Sequence, residues 1–211
     1  MRQQRATSEQ AKRERQAAIV DAALDLLMEH PYHDISISQI ARAAGLAKGT
    51  VYLYFETKEE LFLSVFEGLL GDALDELKSE LASAAGTWSA RQTADVLVGS
   101  VIDRRQLTRL AALAPILFEH NISYERARTH KRWLYGRLSE VGAALERRAP
   151  ALGEGEGPGF LMRFYILVCG LEGVGRPAPV VCEVLEDVPG LFMVDYRHEL
   201  TEMTVLLLGG E

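Results

Sequence analysis

The chain of 211 residues carries a net charge of −7, with 25% charged and 48% hydrophobic residues and a mean hydropathy near zero. That composition excludes a disordered chain, a collagen-like repeat and a disulfide scaffold, and the length suffices for one large domain, or a small one attached to a larger, with a real core. No run approaches the roughly 18 uninterrupted apolar residues of a membrane span, residues 1–5 lead into polar sequence rather than a signal peptide, and Cys169 and Cys182 form no zinc or disulfide pattern, so a soluble cytoplasmic protein with no membrane partner is expected.

Residues 1–58 hold eight lysines and arginines against seven acidic residues, a balance of +1 that leaves −8 for the rest. Within residues 1–20 the balance is +3, from Arg2, Arg5, Lys12, Arg13 and Arg15 against Glu9 and Glu14. A basic leading arm on a near-neutral small unit, backed by an acidic body, fits a partner that is anionic at one end only; an exposed solvated tail explains the arm alone equally well. Ile19, Ala23, Leu26 and Leu27 recur at helical spacing and predict a helix over 12–29, closed by His30 and Pro31. A second long helix over 58–84 keeps Leu61, Val65, Leu69, Leu77 and Leu81 on one face and stops at Gly86. Helices over 88–105, 107–119 and 123–148 follow. The glycine-rich run 153–159 reads as the most flexible loop. An apolar helix from Phe160 to about Val174, a break at Pro177 and Pro179, a short helix and a last helix near 193–208 complete the chain. With no alternating strand pattern and no fixed repeat, the class is all-α.

The informative segment is 37–55, ISQIARAAGLAKGTVYLYF. Counting from Ile37, Ala41 is fifth, Gly45 ninth and Val51 fifteenth, the arrangement a helix-turn-helix needs. The fifth position faces the second helix at close range and must be small. The ninth lies in the turn, where glycine carries no penalty for positive φ. The fifteenth packs the second helix back on the first. Ser36 precedes the first helix and is suited to cap it. On the second helix, over about 48–53, Lys48 meets a phosphate or a guanine edge, Gly49 lets the backbone come close, and Thr50 offers a hydrogen bond or a methyl contact to a base. Tyr52 and Tyr54 present hydroxyls at phosphate distance, and Lys58 opens the next helix, whose N-terminus also favours an anion. The competing reading is that Tyr52, Tyr54 and Phe55 cement a small three-helix unit; for Phe55, on the side of Val51, core is preferred.

Residues 16–66 resemble the DNA-binding domain of the TetR family of bacterial transcriptional regulators. The stretches that carry the resemblance are Ser36-Ile37-Ser38-Gln39-Ile40-Ala41, then Gly45-Leu46-Ala47-Lys48-Gly49-Thr50-Val51-Tyr52-Leu53-Tyr54-Phe55, then Lys58-Glu59-Glu60-Leu61-Phe62. By that resemblance the DNA-contacting positions are Ser36, Lys48, Gly49, Thr50, Tyr52, Tyr54 and Lys58. Ala47 departs from it, standing where members often place a Ser or Thr cap. The resemblance implies a DNA-binding domain at 1–58, a ligand-binding and dimerisation domain at 59–211, a homodimer closed by helices near the C-terminus, and a double-stranded DNA operator and small-molecule effector as partners.

The body's own residues leave alternatives open. Phe160, Phe164, Leu167, Val168 and Leu171, with Leu200, Met203, Leu206 and Leu207, make two apolar helical faces. They suit a core, or a dimer interface in which Phe164, Leu167, Leu171, Met203 and Leu207 take part. Phe118, His120, Asn121 and Trp133 suit the lip of an apolar cavity; for His120 and Asn121 a helix end, where they satisfy free carbonyls, is the preferred reading. Trp88, Leu113 and Ile116 add to the apolar residues of 88–148. His130, among Arg126, Arg128, Lys131, Arg132 and Arg137, reads as part of a solvated basic face. No cofactor, metal site or enzyme is expected, since the chain has no G-x-S-x-G elbow, P-loop or metal-binding spacing. The reading is a ligand-responsive regulator, a repressor released by a mostly apolar effector; the alternative is a helical adaptor or architectural protein on DNA without effector control.

Overall fold

Helices account for the regular structure of the computed structural model, which describes residues 2–185, 187–188 and 190–210; among them there is no strand. The described residues fall into two compact units, one formed by the chain up to Gly68 with Ala114–Ala127, the other by Leu69–Leu113 and the chain from Arg128 on.

In the first unit α1 (Arg2–Glu29) buries Ile19, Ala22, Ala23 and Leu27, the three- and four-residue spacing of one helical face. It starts ten residues before the expected 12, so the leading arm is helical; the side chains of Arg2 and Arg5 lie outside the described residues. Pro31, extended at φ −67° and ψ 149°, ends it and leads into a 3-10 turn over Tyr32–Asp34. α2 (Ile37–Ala43) opens on a capping box, in which Ser36 Oγ accepts from the Gln39 amide and the Gln39 side chain accepts from the Ser36 amide at 2.8 Å. It closes on Gly45 at φ +68°, with Leu46 N–H donating to Ala41 O at 2.8 Å and Gly45 N–H to Arg42 O at 3.1 Å. That pair of bonds places glycine at the left-handed position after the helix. α3 (Lys48–Tyr52) turns Val51 fully inward, and Phe55 follows it into the interior. Thr57 caps α4 (Lys58–Ser83) by accepting from the Glu60 amide at 3.0 Å.

A single π-helical turn, Ala114–Phe118, completes this unit. Phe118 is fully buried, its ring 5.4 Å from that of Tyr32 and 6.5 Å from that of Phe62. The Thr57 hydroxyl donates to Asn121 O at 3.1 Å. Arg126 grips α4 from the same segment, with two 2.8 Å bonds to the Glu67 carboxylate and one of 3.1 Å to Ser64 Oγ. This bidentate, half-buried guanidinium is a strong tie because little water competes for it.

The second unit packs the rest of α4 with α5 (Ala90–Ile102), α6 (Arg105–Leu113), α7 (Tyr124–Glu146) from Arg128 on, α8 (Gly157–Gly175), α9 (Pro179–Leu185) and α10 (Tyr196–Leu207). Its core takes Leu77 and Leu81 from α4, Leu97 from α5, Leu145 from α7, Phe160 and Phe164 from α8, and Leu200 from α10. α7 and α8 meet backbone to backbone: a Cβ on Gly142 would lie 2.5 Å from Pro158 N. That crossing, with Gly157 N–H donating to Glu146 Oε1 at 2.7 Å, starts α8 inside the glycine run expected to be a loop. Pro179, expected as part of a break, opens α9 instead, which suits its fixed φ and missing N–H. α8 is long and apolar enough by composition to cross a bilayer, yet its Phe160, Leu161, Phe164 and Val168 are core. At its end Arg176 donates to Thr108 Oγ1 at 2.9 Å and to Ile102 O, pairs with Glu172 and lies over the Tyr196 ring.

Candidate nucleic-acid interface

The surface that α2, its turn and α3 leave to solvent is mostly polar, with Leu53 exposed at the end of α3. Ser36, Lys48, Gly49 and Tyr52 are exposed and Thr50 and Tyr54 half-buried. All four helical positions of α3 other than Val51 therefore look outward or sideways, because a helix of five residues has one inward position once Val51 is in the core. Lys48 Nζ stands 5.9 Å from the Tyr52 ring centroid, so an ammonium and a phenol share one edge. A Cβ on Gly49 would meet nothing within 4 Å. The fold itself places no demand for glycine there, unlike Gly45. Ala47 occupies the N-cap of α3 without a side-chain bond, which leaves the first amides of the helix open to an anion.

Lys58 is turned differently. Its Nζ donates to Tyr32 O at 2.6 Å and lies 3.9 Å from the Tyr32 ring centroid, and burial lowers its pKa against the opposing pull of Glu59 and Asp34. Tyr32 in turn donates its hydroxyl to Glu59 Oε1 at 2.7 Å. Burial, then that bond, hold its phenol well above the ordinary tyrosine range. These interactions pin the turn after α1 to the start of α4. Nothing in the sequence pattern points to Tyr32, which is nine residues from the motif's fifth position. On α1 the side chains of Lys12, Arg13 and Arg15 are exposed.

The expected effector residues divide between the units: Phe118, His120 and Asn121 belong to the first, Trp133 to the second. His120 is exposed. The Asn121 side-chain Nδ2 closes the π-helical turn by donating to Leu117 O at 2.7 Å. Ile116, one of the apolar residues counted in 88–148, is 70% exposed. Trp133 is half-buried, 3.8 Å from the position of a Cβ on Gly71, with its ring 6.0 Å from His130. His130 itself is buried, not solvated as expected, and Arg126 and Arg137 are drawn into bonds with Glu67 and with Gly71 O and Asp75. The basic residues of α7 therefore do not form one solvated face: Arg128, Lys131 and Arg132 are exposed, while Arg126 and Arg137 turn towards acids of α4.

Among the dimer candidates Phe164 is core, Leu167 and Leu171 pack against that core, Met203 is half-buried and Leu207 exposed. The outward stripe of α8 is Met162, Ile166, Gly170 and Val174, at four-residue steps, and Leu206 joins Leu207 on α10. Among the described residues no group of three or more His, Cys, Asp or Glu side chains is arranged to hold a metal ion.

The family model described as bacterial regulatory proteins, tetR family, matches residues 19–65, and that described as tetracyclin repressor-like, C-terminal domain, matches residues 67–211. The Fatty acid metabolism regulator protein of Bacillus subtilis (strain 168) is 36% identical over 74 residues, 35% of this chain and 38% of that protein. The HTH-type transcriptional regulator BetI of Klebsiella pneumoniae (strain 342) is 32% identical over 104 residues, 49% of this chain and 53% of that protein. The matches thus span about half or less of the length of these curated relatives. Over almost the whole chain the fold is similar to that of the fatty acid degradation regulator FadR from Bacillus halodurans, with TM-score 0.54, 22% identity and coverage of 92% of this chain and 98% of that one. It is also similar to FadR from Bacillus subtilis in complex with stearoyl-CoA, with TM-score 0.51, 20% identity and coverage of 91% and 96%.

Proposed function

The chain belongs to the TetR family of bacterial regulatory proteins, and from that premise we propose that it is a cytoplasmic transcriptional repressor, binding a pseudo-palindromic operator as a homodimer and released by a small, mostly apolar effector. The observation that carries this reading is the outward edge of α3, where Lys48, Thr50 and Tyr52 flank a glycine, Gly49, that the fold does not require. A backbone kept bare beside a cation and a phenol is suited to close approach by a phosphate backbone and base edges. Ser36 and Tyr54 extend the edge, and Lys58 acts by fixing Tyr32 beneath it. DNA binding is assigned to residues 1–58, effector binding and dimerisation to 59–211.

A long-chain acyl group is the effector class we favour. The support is that one structural neighbour holds stearoyl-CoA and one relative is named for fatty acid metabolism. Effector binding works by population shift: a ligand that prefers the body conformation with wrongly spaced heads weakens DNA binding by the same coupling factor. The segment Ala114–Ala127 is the proposed route, since it follows α6 in the chain yet belongs to the unit that carries α3. Phe118, His120, Asn121 and Trp133 are the residues whose surroundings should change. An adaptor without effector control has no observation in its favour, and catalysis, cofactor, metal and membrane have no part in the reading.

Selection of bound sequences from a random DNA pool with purified protein tests this. Enrichment of an inverted repeat is expected, with release when palmitoyl-CoA is added and Trp133 fluorescence quenched over the same concentration range. Recovery of no common sequence would remove the operator from the reading. Release by no acyl compound would remove the effector class.

A further inference from the structure

The C-terminal end of the second unit leaves large apolar side chains in water. α9, with the sequence PVVCEVL, buries none of its residues. Val180, Val181 and Val184 are 43–65% exposed, and Phe192 and Met193, just beyond, 56% and 67%. Between them opens a hollow of about 470 Å³ walled by Val174, Pro177, Leu185, Phe192 and Met193, with the Asp195 carboxylate and, among the described residues, no lysine or arginine. A contiguous apolar surface of this kind on a small domain marks an interaction site.

Its occupant follows from continuity and area. Val174 belongs both to the wall of the hollow and to the outward stripe of α8, Met162, Ile166 and Gly170, with Leu206 and Leu207 on α10. The large apolar residues that α8 and α10 leave outward are five, Met162, Ile166, Val174, Leu206 and Leu207, 38–69% exposed, few for the ~800 Å² that each partner buries in a standard stable interface. The five of α9 and its following turn, Val180, Val181, Val184, Phe192 and Met193, double that number, which brings the surface towards the size such an interface needs. The lack of a cation at the hollow disfavours a nucleic acid or a fatty carboxylate, and a surface shared by two identical partners needs only to be apolar and self-complementary.

We propose that α9 and residues 190–193 form a clasp that receives a second copy of this chain, extending the dimer contact of α8 and α10; the inference rests on the homodimer reading above. Because α9 buries nothing in the protomer, charges placed on it leave the fold intact.

The test is sedimentation of the full chain as wild type, as the double variant Val180→Asp/Val184→Asp and as Ile166→Asp. The double variant is expected to raise the dimer dissociation constant at least 100-fold with unchanged helicity. Cys182, exposed on α9, is a second readout in the wild type. Its labelling by a maleimide should slow as protein concentration passes through dimerisation, while Cys169, whose thiol burial pushes up to about 11, reacts little. A wild-type dimer that Ile166→Asp splits and the double variant does not, with Cys182 labelling independent of concentration, overturns the clasp and leaves the homodimer standing. Protection of Cys182 by laurate at unchanged mass overturns it in favour of a small apolar ligand. A wild-type monomer overturns the homodimer reading and the clasp together.

Discussion

The head that carries α3 and the end of the body that carries α8, α9 and α10 are both incomplete surfaces, and they are incomplete in opposite ways. Around α3 most apolar residues are used: Ile40, Val51 and Phe55 are buried, and what faces water is a lysine, a glycine, a threonine and a phenol, with Leu53 as the one large apolar exception at 80% exposed. At the far end of the chain the core is also closed, around Phe160, Phe164 and Leu200, yet the residues facing water are Ile166, Val180, Val184 and Met193. The first surface costs little to leave in water and gains when an anion releases its counterions there. The second is unfavourable in water at roughly 25 cal/mol per Å² until a second apolar surface covers it. In the proposed reading the first surface serves a solvated, salt-sensitive partner and the second a dry one.

The strongest way to break that contrast is Ile166→Asp. In the proposed homodimer two heads add their binding free energies on an inverted repeat, so a monomer should lose about half of the specific binding free energy, several kcal/mol for a typical specific complex. Anisotropy titration of the operator should show that loss although no residue of the head is changed; full retention would detach the apolar end from DNA binding. Next in size is Phe118→Ala, which empties a fully buried site beside Tyr32 and Phe62 and should cost about 3–5 kcal/mol of stability, read by urea denaturation. Lys48→Ala and Tyr52→Ala come third, each expected to weaken operator binding by about 1–3 kcal/mol per subunit with dimer mass unchanged. Lys48→Ala should also flatten the dependence of affinity on salt.

Two glycines sharpen the contrast within the head. Gly45→Ala places a Cβ at φ +68° and should cost about 1–2 kcal/mol of stability. Gly49→Ala adds a Cβ in open space and should stabilise the isolated protein by about 0.5–1 kcal/mol, while lowering operator affinity; unchanged affinity would show that nothing approaches α3 at that point. The smallest effect concerns pH. Tyr32 has its folded pKa raised by burial and by Glu59. Above the ordinary tyrosine pKa of about 10 the unfolded chain loses this proton while the folded one keeps it, so the folded state binds more protons. Stability is therefore intact at neutral pH and falls as pH rises beyond about 10. Tyr196, raised to about 12 chiefly by burial, acts in the same sense. Thermal melts between pH 9 and 11 should show a shallower decline in Tyr32→Phe.

Much of the head can be read from the chain because its determinants are local. A cap three residues from its partner (Ser36 and Gln39), a left-handed turn at Gly45 and a small residue at Ala41 are each set within one or two helical turns, so spacing alone reveals them. The exposed residues of α3 follow once Val51 is assigned inward. Lys58 was less readable: its tie to Tyr32 spans 26 residues, and no periodicity links them. The same holds for Arg126, whose bonds to Ser64 and Glu67 draw the segment Ala114–Ala127 into the head's unit.

By itself the sequence determined the all-α class, the order of the long helices, the helix-turn-helix and the family. These rest on hydrophobic period, capping and turn chemistry, which act over a few residues. Tertiary structure decided which side of an apolar helix is core. Residues 160–171, FLMRFYILVCGL, are apolar on nearly every side, so the stripe buried with Leu145 and Leu200 and the stripe of Met162 and Ile166 left outside look alike in sequence. It also decided where α8 begins, because only the backbone contact of Gly142 with Pro158 makes a glycine run helical. Burial is a property of neighbours brought from far along the chain, and local pattern carries no record of them.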